Sequence, residues 1–244
     1  MPHFLISKEE IKEDKIELID KETIDHLLKS LRVKKGEKVK FIDKDENVYL
    51  TEIIETGKNK LISKIITREK SIRKLNFELD AAISVLKPDA MHLAIQNAVQ
   101  AGAKKIYTVY SDNAAVKYDS ILNKKEKWQK IGMEAFKQCE RADIPEIYDV
   151  IKFDEIFKNY KKENIIVFAE KYAKEDVKKI FDTINKKERI LAVFGPEGGF
   201  SEKEFDYFKS KNIKLTTLGN LILKAPNAVT AGLFGIITNY DNKR

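Results

Sequence analysis

The sequence predicts a two-domain protein in which a small β domain precedes an α/β domain. Residues 1–70 hold short apolar stretches separated by polar turns, the pattern of a small β-barrel. From residue 74 to residue 244, apolar strands alternate with helices, which is typical of an α/β domain on a largely parallel sheet. Residues 67–76 between them are polar and basic, without glycine or proline, so we place the domain boundary there.

Composition limits the class of protein. The chain has 244 residues, 43% hydrophobic and 35% charged, which is enough for a sizeable core. No apolar run is long enough to span a bilayer and no signal opens the chain, so we expect no membrane partner and a cytoplasmic location. Cys139 is the single cysteine and the three histidines are scattered, so we expect neither a disulfide nor a metal site.

Net charge allows a nucleic-acid partner without requiring one. The chain carries a formal charge of +7, spread over both predicted domains. Denser basic patches occur at residues 60–74 and 117–130. Solvated surface lysine explains either patch as well as RNA contact does.

The elements of the first domain follow from period-two patterns and one helical pattern. Strands are predicted at 4–6, 38–43, 48–54 and 61–66, with a helix over 23–32. In that helix, His26 is expected to pack partly buried. Arg32, at the helix end, could cap carbonyl groups or contact phosphate.

The second domain reads as alternating strands and helices. Strands are predicted at 77–86, 105–110, 165–169, 190–194 and 214–218, with helices at 88–102, 118–140 and from about 227 to 240. The last helix is apolar nearly all round, which indicates burial in the core or against a second subunit.

Two loops form the strongest candidate site. Residues 194–201 read Phe-Gly-Pro-Glu-Gly-Gly-Phe-Ser between a buried strand and a helix whose capping box is Ser201 and Glu204. Glycine lets backbone approach a ligand closely, and free helix amides favour electron-rich atoms. Residues 218–224, Leu-Gly-Asn-Leu-Ile-Leu-Lys, form a second glycine-interrupted loop. Phosphate-loop, dinucleotide, nucleophile-elbow and kinase signatures are absent, so the pattern supports a cofactor pocket without naming a reaction.

Four blocks occur in an order that matches one known family. The first reads His26, then Leu31-Arg32-Val33, and the second holds Trp128, Ile131, Glu134-Ala135, Gln138, Arg141 and Pro145-Glu146-Ile147. The two loops supply the other blocks, similar to I-G-P-E-G-G-[FL]-[ST]…E and L-G…I-L-R. Together they resemble the RsmE-like family, the 16S ribosomal RNA uracil-N3 methyltransferases of the SPOUT superfamily. The likeness covers nearly the whole chain, and four blocks in order are more specific than any one.

The resemblance implies an N-terminal PUA-like barrel that binds RNA and a C-terminal α/β trefoil-knot domain. It also implies a homodimer, 16S rRNA in the small ribosomal subunit as partner, and S-adenosylmethionine as cofactor. The positions expected to bind the cofactor are Ala169, Gly195, Gly199, Leu218, Gly219, Leu221, Ile222, Leu223 and Asn227.

Substrate-side roles are also carried over from the resemblance. Methylation at uracil N3 requires loss of an imide proton, so a positive side chain is expected to hold the anion or a phosphate. Arg141 is the first candidate for that role, Lys224 is a further candidate, and Glu197 is a candidate base. Loop carboxylates more often bond backbone amides, which is the favoured alternative for Glu197. RNA contacts are expected from His26, Arg32, Lys64 and Arg68.

The chain departs from the family pattern after the second loop. Where the family continues L-R-x-E-T-A, this sequence has Leu-Lys-Ala-Pro-Asn-Ala at 223–228, and Asn113 stands where arginine is common. Lys224 keeps the charge without the bidentate fork, and Asn227 could serve as helix N-cap. Two rival hypotheses therefore stay open: a non-catalytic RNA-binding relative, and an unrelated enzyme acting on a phosphorylated metabolite.

Overall fold

The chain folds into two compact units. The computed structural model describes residues 3–57, 59–173 and 177–240. The first unit comprises Met1–Lys74 together with Phe136–Ile144, and the second comprises Leu75–Ala135 together with Pro145–Arg244. The sequence did not indicate that 136–144 groups with the first unit, because local patterns carry no information about contacts between distant segments.

The first unit is built on a five-stranded mixed sheet. Its strand order is β1-β3-β4-β5-β2, with β1 parallel to β3 and the other pairs antiparallel. The strands are β1 (His3–Leu5), β2 (Lys15–Leu18), β3 (Lys38–Ile42), β4 (Asn47–Gly57) and β5 (Lys60–Lys70). Two register shifts between β4 and β5 bend the sheet, as β-bulges do. The predicted small β domain is confirmed.

Three details of the first unit differ from the prediction. Strand β2 was not predicted, because its four residues alternate lysine and glutamate with isoleucine and leucine inside a charged stretch. Strand β5 continues to Lys70, so the first residues of the predicted linker belong to the sheet. The predicted helix is a short α-helix, α1 (Lys21–Asp25), capped by Asp20 and continued by a π-helical turn over His26–Ser30.

The second unit is built on a six-stranded parallel sheet, as the alternating pattern predicted. The strand order is β11-β9-β10-β6-β7-β8. The strands are β6 (Leu79–Ser84), β7 (Lys105–Tyr110), β8 (Glu146–Lys152), β9 (Ile165–Phe168), β10 (Ile190–Phe194) and β11 (Lys214–Thr216). The helices are α2 (Pro88–Gln100), α3 (Lys125–Cys139), α4 (Val177–Asp182), α5 (Glu202–Ser210) and α6 (Ala225–Tyr240).

Strand β8 was not predicted, and the start of α3 was predicted wrongly. The strand mixes acidic and apolar residues at an edge of the sheet, so its pattern is weak. The helix begins at Lys125 rather than near residue 118, where a single 3-10 turn lies instead. Leu122 lies ahead of the helix and is exposed, whereas Trp128 and Ile131 lie within it and are buried.

Helix α6 packs closely on the sheet of the second unit. A β-carbon at Gly232 would lie 2.7 Å from the ring of Phe194 and 2.9 Å from that of Phe168, so only glycine allows this approach. Those two rings stack with centroids 5.0 Å apart. Helix α6 is buried on this side but exposes 44% of Phe234, so it is not covered all round.

Candidate cofactor site

A cavity of about 1130 Å³ opens where β9 and β10 end in the second unit. The carboxyl ends of parallel strands are where α/β folds bind ligands. Its wall is lined by residues of the glycine loop (195–201) and of the second loop (218–224). The start of α2 and the segment after β9 also contribute. The two loops singled out in the sequence thus meet at one cavity.

The glycine loop needs its glycines for geometric reasons. Gly199 has a φ of +71°, a conformation that side-chain-bearing residues rarely adopt, and its amide donates to the carbonyl of Pro196 at 2.9 Å. A β-carbon at Gly195 would lie 3.1 Å from the ring of Phe200, which folds back beneath the loop. The loop is therefore a tight turn that leaves main chain facing the cavity.

The predicted capping box is confirmed, and its carboxylate also reaches another loop. Glu204 accepts a hydrogen bond from the amide of Ser201 at 2.8 Å through Oε2. Its Oε1 accepts from the amide of Asp112 at 3.2 Å. The side chain is buried, and this burial raises the pKa of Glu204 above its ordinary value. Glu204 therefore joins the start of α5 to the chain that follows β7.

The residues after β7 brace the glycine loop from one side. The Ser201 hydroxyl donates to Oδ2 of Asp112 at 2.7 Å, and Nδ2 of Asn113 donates to the carbonyl of Gly199 at 3.1 Å. A β-carbon at Gly198 would lie 3.1 Å from both Cβ and the carbonyl oxygen of Asn113. Sequence reasoning noticed Asn113 only as a departure and missed Asp112. The signal available was a polar Ser-Asp-Asn directly after a buried strand of the same sheet.

Glu197 braces the loop from the other side. Its Oε1 accepts a hydrogen bond from the amide of Lys87 at 3.1 Å, at the N-cap position of α2. This is the backbone-bonding use of a loop carboxylate that the sequence analysis favoured over a role as base.

The second loop is built differently. Leu221 is 83% exposed and Ile222 is 79% exposed, although Ile222 and Leu223 line the cavity. Gly219 has a φ of +120°, and its carbonyl accepts a hydrogen bond from the hydroxyl of Thr217 at 2.9 Å. The loop thus presents exposed apolar side chains beside the cavity.

Helix α6 begins two residues earlier than predicted, which corrects the role given to Asn227. The helix starts at Ala225, and the amide of Asn227 donates to the carbonyl of Lys224. Asn227 therefore lies in the first turn and is not the N-cap, because Pro226 already has a helical backbone and fits an N-terminal helical position without an amide proton. Its side chain still lines the cavity.

Charged side chains around the cavity indicate the kind of ligand. Four carboxylates line it, those of Asp89, Glu170, Glu197 and Glu202, against the three lysines Lys87, Lys171 and Lys224. The carboxylates supply partners for positive charge on a ligand, and the lysines supply partners for negative charge.

The structure brings most predicted cofactor residues together. The cavity wall contains Ala169, Gly195, Gly199, Ile222, Leu223, Lys224, Asn227 and Glu197. Leu218, Gly219 and Leu221 belong to the second loop but do not line the cavity in the described part of the chain.

Arg141 lies in the first unit. Its side chain is buried, and its guanidinium makes a two-point contact with Asp143, with distances of 3.2 Å from Nε and 2.6 Å from a terminal nitrogen. Such a bidentate pair fixes the plane of the guanidinium.

The predicted RNA-binding residues all lie on the surface of the first unit. His26 is exposed rather than partly buried, with its ring 5.7 Å from that of Phe4. Arg32 is exposed and has a φ of +55°. It lies just after the π-helical turn over His26–Ser30. Lys64 and Arg68 are exposed on β5, and the Arg68 guanidinium lies 5.4 Å from the ring centre of Tyr49.

The described residues offer neither a membrane-spanning helix nor a metal-binding cluster. No helix in residues 3–57, 59–173 and 177–240 has the length and apolar character needed to cross a membrane. Within the same described residues, no group of three or more histidine, cysteine, aspartate or glutamate side chains could hold a metal ion.

Comparison with known proteins identifies the family. A model of the RNA methyltransferase domain matches residues 73–236, and a model of the RNA methyltransferase PUA domain matches residues 13–66. The chain is 26% identical over 238 residues to ribosomal RNA small subunit methyltransferase E of Bacillus subtilis, covering 95% of this chain and 93% of the relative. It is 30% identical over 211 residues to methyltransferase E 2 of Borreliella burgdorferi, covering 85% of each.

A solved structure shows the same fold. Ribosomal RNA small subunit methyltransferase E from Neisseria gonorrhoeae, crystallised with S-adenosyl methionine bound, superposes with a TM-score of 0.85 at 21% identity over 98% of each chain. From the domain match and the 30% identical relative, this chain belongs to the RNA methyltransferase family, in the group of ribosomal RNA small subunit methyltransferase E.

Proposed function

We propose that this protein transfers a methyl group from S-adenosylmethionine to N3 of a uridine in 16S ribosomal RNA. The observation that carries the proposal is the cavity at the carboxyl ends of β9 and β10, walled by both loops, in a chain of this family. The similar proteins named above are small-subunit rRNA methyltransferases, and one of them was crystallised with this cofactor.

The residues of the cavity fit S-adenosylmethionine. Main-chain groups of the glycine loop can hydrogen-bond the adenosyl part, and Ile222 and Leu223 can pack on its ring. Carboxylates such as Asp89 and Glu170 complement its sulfonium and amino charges. Bound there, the cofactor would supply an electrophilic methyl group.

The chain's own task is to bind an unpaired uracil, exclude water and stabilise the anion that forms when the N3 proton leaves. Lys224 lines the cavity and is our first candidate for that stabilising charge. Arg141, held by Asp143, is the second, for the anion or a phosphate. Glu197 already accepts a hydrogen bond from a main-chain amide, so we assign the general base to no residue.

The proposal extends to the partner molecules. In the first unit, His26, Arg32, Lys64 and Arg68 are exposed, which supports RNA contact by an N-terminal domain at 1–70 attached to a methyltransferase domain at 74–244. A homodimer stays a prediction from the resemblance and from the apolar sequence of α6. A trefoil knot in the second domain stays a prediction from the resemblance. Because ribosomal subunits are the proposed substrate, we place the protein in the cytoplasm.

Methyl transfer in vitro tests the proposal. Purified protein, S-adenosylmethionine labelled in its methyl group and undermodified small ribosomal subunits should give labelled 3-methyluridine after nuclease digestion. Parallel reactions with protein-free 16S rRNA show which form is the substrate.

The non-catalytic alternative is favoured by one observation: Pro226 and Asn227 occupy the first turn of α6, where the family has a carboxylate and a threonine. Calorimetry with S-adenosylmethionine separates the two readings. Cofactor binding without label in any RNA would support the alternative, and absence of cofactor binding would contradict both.

A further inference from the structure

A basic segment at residues 117–130 closely follows, along the chain, a residue that lines the cavity. It begins four residues after Asn113, which lines the cavity and bonds the glycine loop. Ile121 and Trp128 are buried and anchor the segment on the second unit. The main chain between these anchors is therefore held on the unit, and the remaining residues of the segment are exposed.

The exposed charges of this segment are mostly positive and unpaired. It carries five lysines, at 117, 124, 125, 127 and 130, against two carboxylates, Asp119 and Glu126. Among the described residues, none of these five lysines forms an ion pair. Lysines elsewhere on the unit do pair, as Lys161 does with Glu188 at 2.6 Å and Lys104 with Glu78 at 2.6 Å.

The lysines are not placed to stabilise the helix they precede. Lys125 and Lys127 lie in the first turn of α3, where the helix dipole disfavours positive charge. A residue choice that opposes local stability is better explained by a partner that carries negative charge.

An aromatic side chain accompanies these charges. Tyr118 is 37% exposed and meets the ring of Tyr110 edge-on at 5.0 Å. The hydroxyl of Tyr110 donates to the carbonyl of Val116 at 3.4 Å and so ties the turn to strand β7. Lysines interleaved with a positioned aromatic ring are what single-stranded nucleic acid requires, because phosphates meet the charges and a base can stack on the ring.

We propose that residues 117–127 of the second unit bind the RNA strand that flanks the target nucleotide, with phosphates on the lysines and a base on Tyr118. The proposal rests on the proposed function, since it gives the substrate RNA a second contact surface beyond the first unit. The strand would then run past Asn113 at the cavity wall.

Charge removal with a matched control tests the surface. One variant changes Lys117, Lys124, Lys125 and Lys127 to glutamine, and the control changes four other exposed lysines of the second unit to glutamine: Lys152, Lys158, Lys187 and Lys203. Binding of protein-free 16S rRNA is measured over a range of salt concentrations, together with the cofactor Kd and the thermal midpoint.

The first variant should bind RNA at least ~10-fold more weakly than the control, and its slope of log affinity against log salt should fall by about 2–3. Tyr118→Ala should weaken binding roughly 5-fold or more, and Tyr118→Phe should not, because the ring remains. Cofactor Kd should stay unchanged in all of them.

Equal RNA affinity and salt slope in the lysine variant and its control would overturn the inference while the wild type still binds and methylates RNA. Failure of the wild type to bind RNA at all would instead contradict the proposed function. If the fourfold variant has a lowered thermal midpoint, the single variants Lys117→Gln and Lys124→Gln decide, each with an expected loss of about 2-fold or more.

Discussion

The two loops that wall the cavity are held in opposite ways. The glycine loop is braced by Asn113 and Asp112 on one side and by the Lys87 amide on the other, with Glu204 buried beneath it. The second loop exposes Leu221 and Ile222 almost fully. One loop is therefore a preorganised polar wall, and the other offers exposed apolar surface that a bound ligand would cover.

This difference separates stability from binding. Changes to the braces of the glycine loop should lower the stability of the fold and disturb the cofactor site together. Changes to the second loop should lower affinity and leave stability intact, because an exposed side chain contributes little to folding.

The largest effect is expected for Glu204→Ala. Its carboxylate accepts from two amides in a buried position, so removing it leaves both donors without that partner. We expect a loss of roughly 2–4 kcal/mol in the free energy of unfolding. Urea denaturation measures it, with Asp206→Ala, exposed on the same helix, as control. A loss no larger than the control's would contradict the bracing role.

A smaller, opposite signature is expected for Ile222→Ala. The residue is 79% exposed, so unfolding free energy should change by less than about 0.5 kcal/mol. Cofactor Kd should rise ~10-fold, because the ligand would bury less apolar surface. Ile72→Ala is the control, since Ile72 is 81% exposed in the first unit. Calorimetry that gives both variants the wild-type Kd would show that the second loop does not cover the ligand.

Asn113→Asp should weaken cofactor binding about 3- to 10-fold, because a carboxylate cannot donate to the carbonyl of Gly199. The same change at Asn159, exposed outside the cavity, is the control. Asn113→Ala should also weaken cofactor binding, because alanine lacks the hydrogen-bond donor as well. A Kd for Asn113→Asp equal to that of the control would show that this brace does not shape the site.

The smallest effect is a pH dependence at Glu204. Burial raises its pKa, so its protonated form is favoured in the folded state and the associated stability is lost as pH rises through that raised value. The wild type should therefore lose stability relative to Glu204→Gln as the pH rises above 4.5, the ordinary pKa of a glutamate side chain. Denaturation curves of both proteins at a series of pH values measure it, and a constant difference would contradict the sign.

Much of this architecture was readable from the sequence. Uniform apolar runs such as 190–194 predicted buried parallel strands, and the Ser201 and Glu204 spacing predicted the start of α5. Strand β8 was not predicted, because an edge strand need not be apolar. The start of α3 was predicted too early, because the polar stretch ahead of it also has helical spacing.

The sequence predicted the two loops of the site but not the contacts that brace them. Glycine and apolar patterns located both walls, because each is a continuous stretch. The brace by Asp112 depends on the strand order, since β6 lies between β7 and β10 in the sheet. The polar Ser-Asp-Asn after β7 does not by itself indicate that this end of β7 reaches the glycine loop. The grouping of Arg141 with the first unit could not be predicted either, because it too depends on contacts between segments that are distant in sequence.

The most direct test of the central claim is a mass-spectrometric map of ribosomal RNA from a strain that lacks this gene. The account predicts that one 3-methyluridine disappears from 16S rRNA and returns when the gene is restored. A map in which every 3-methyluridine of the 16S rRNA is retained would contradict it.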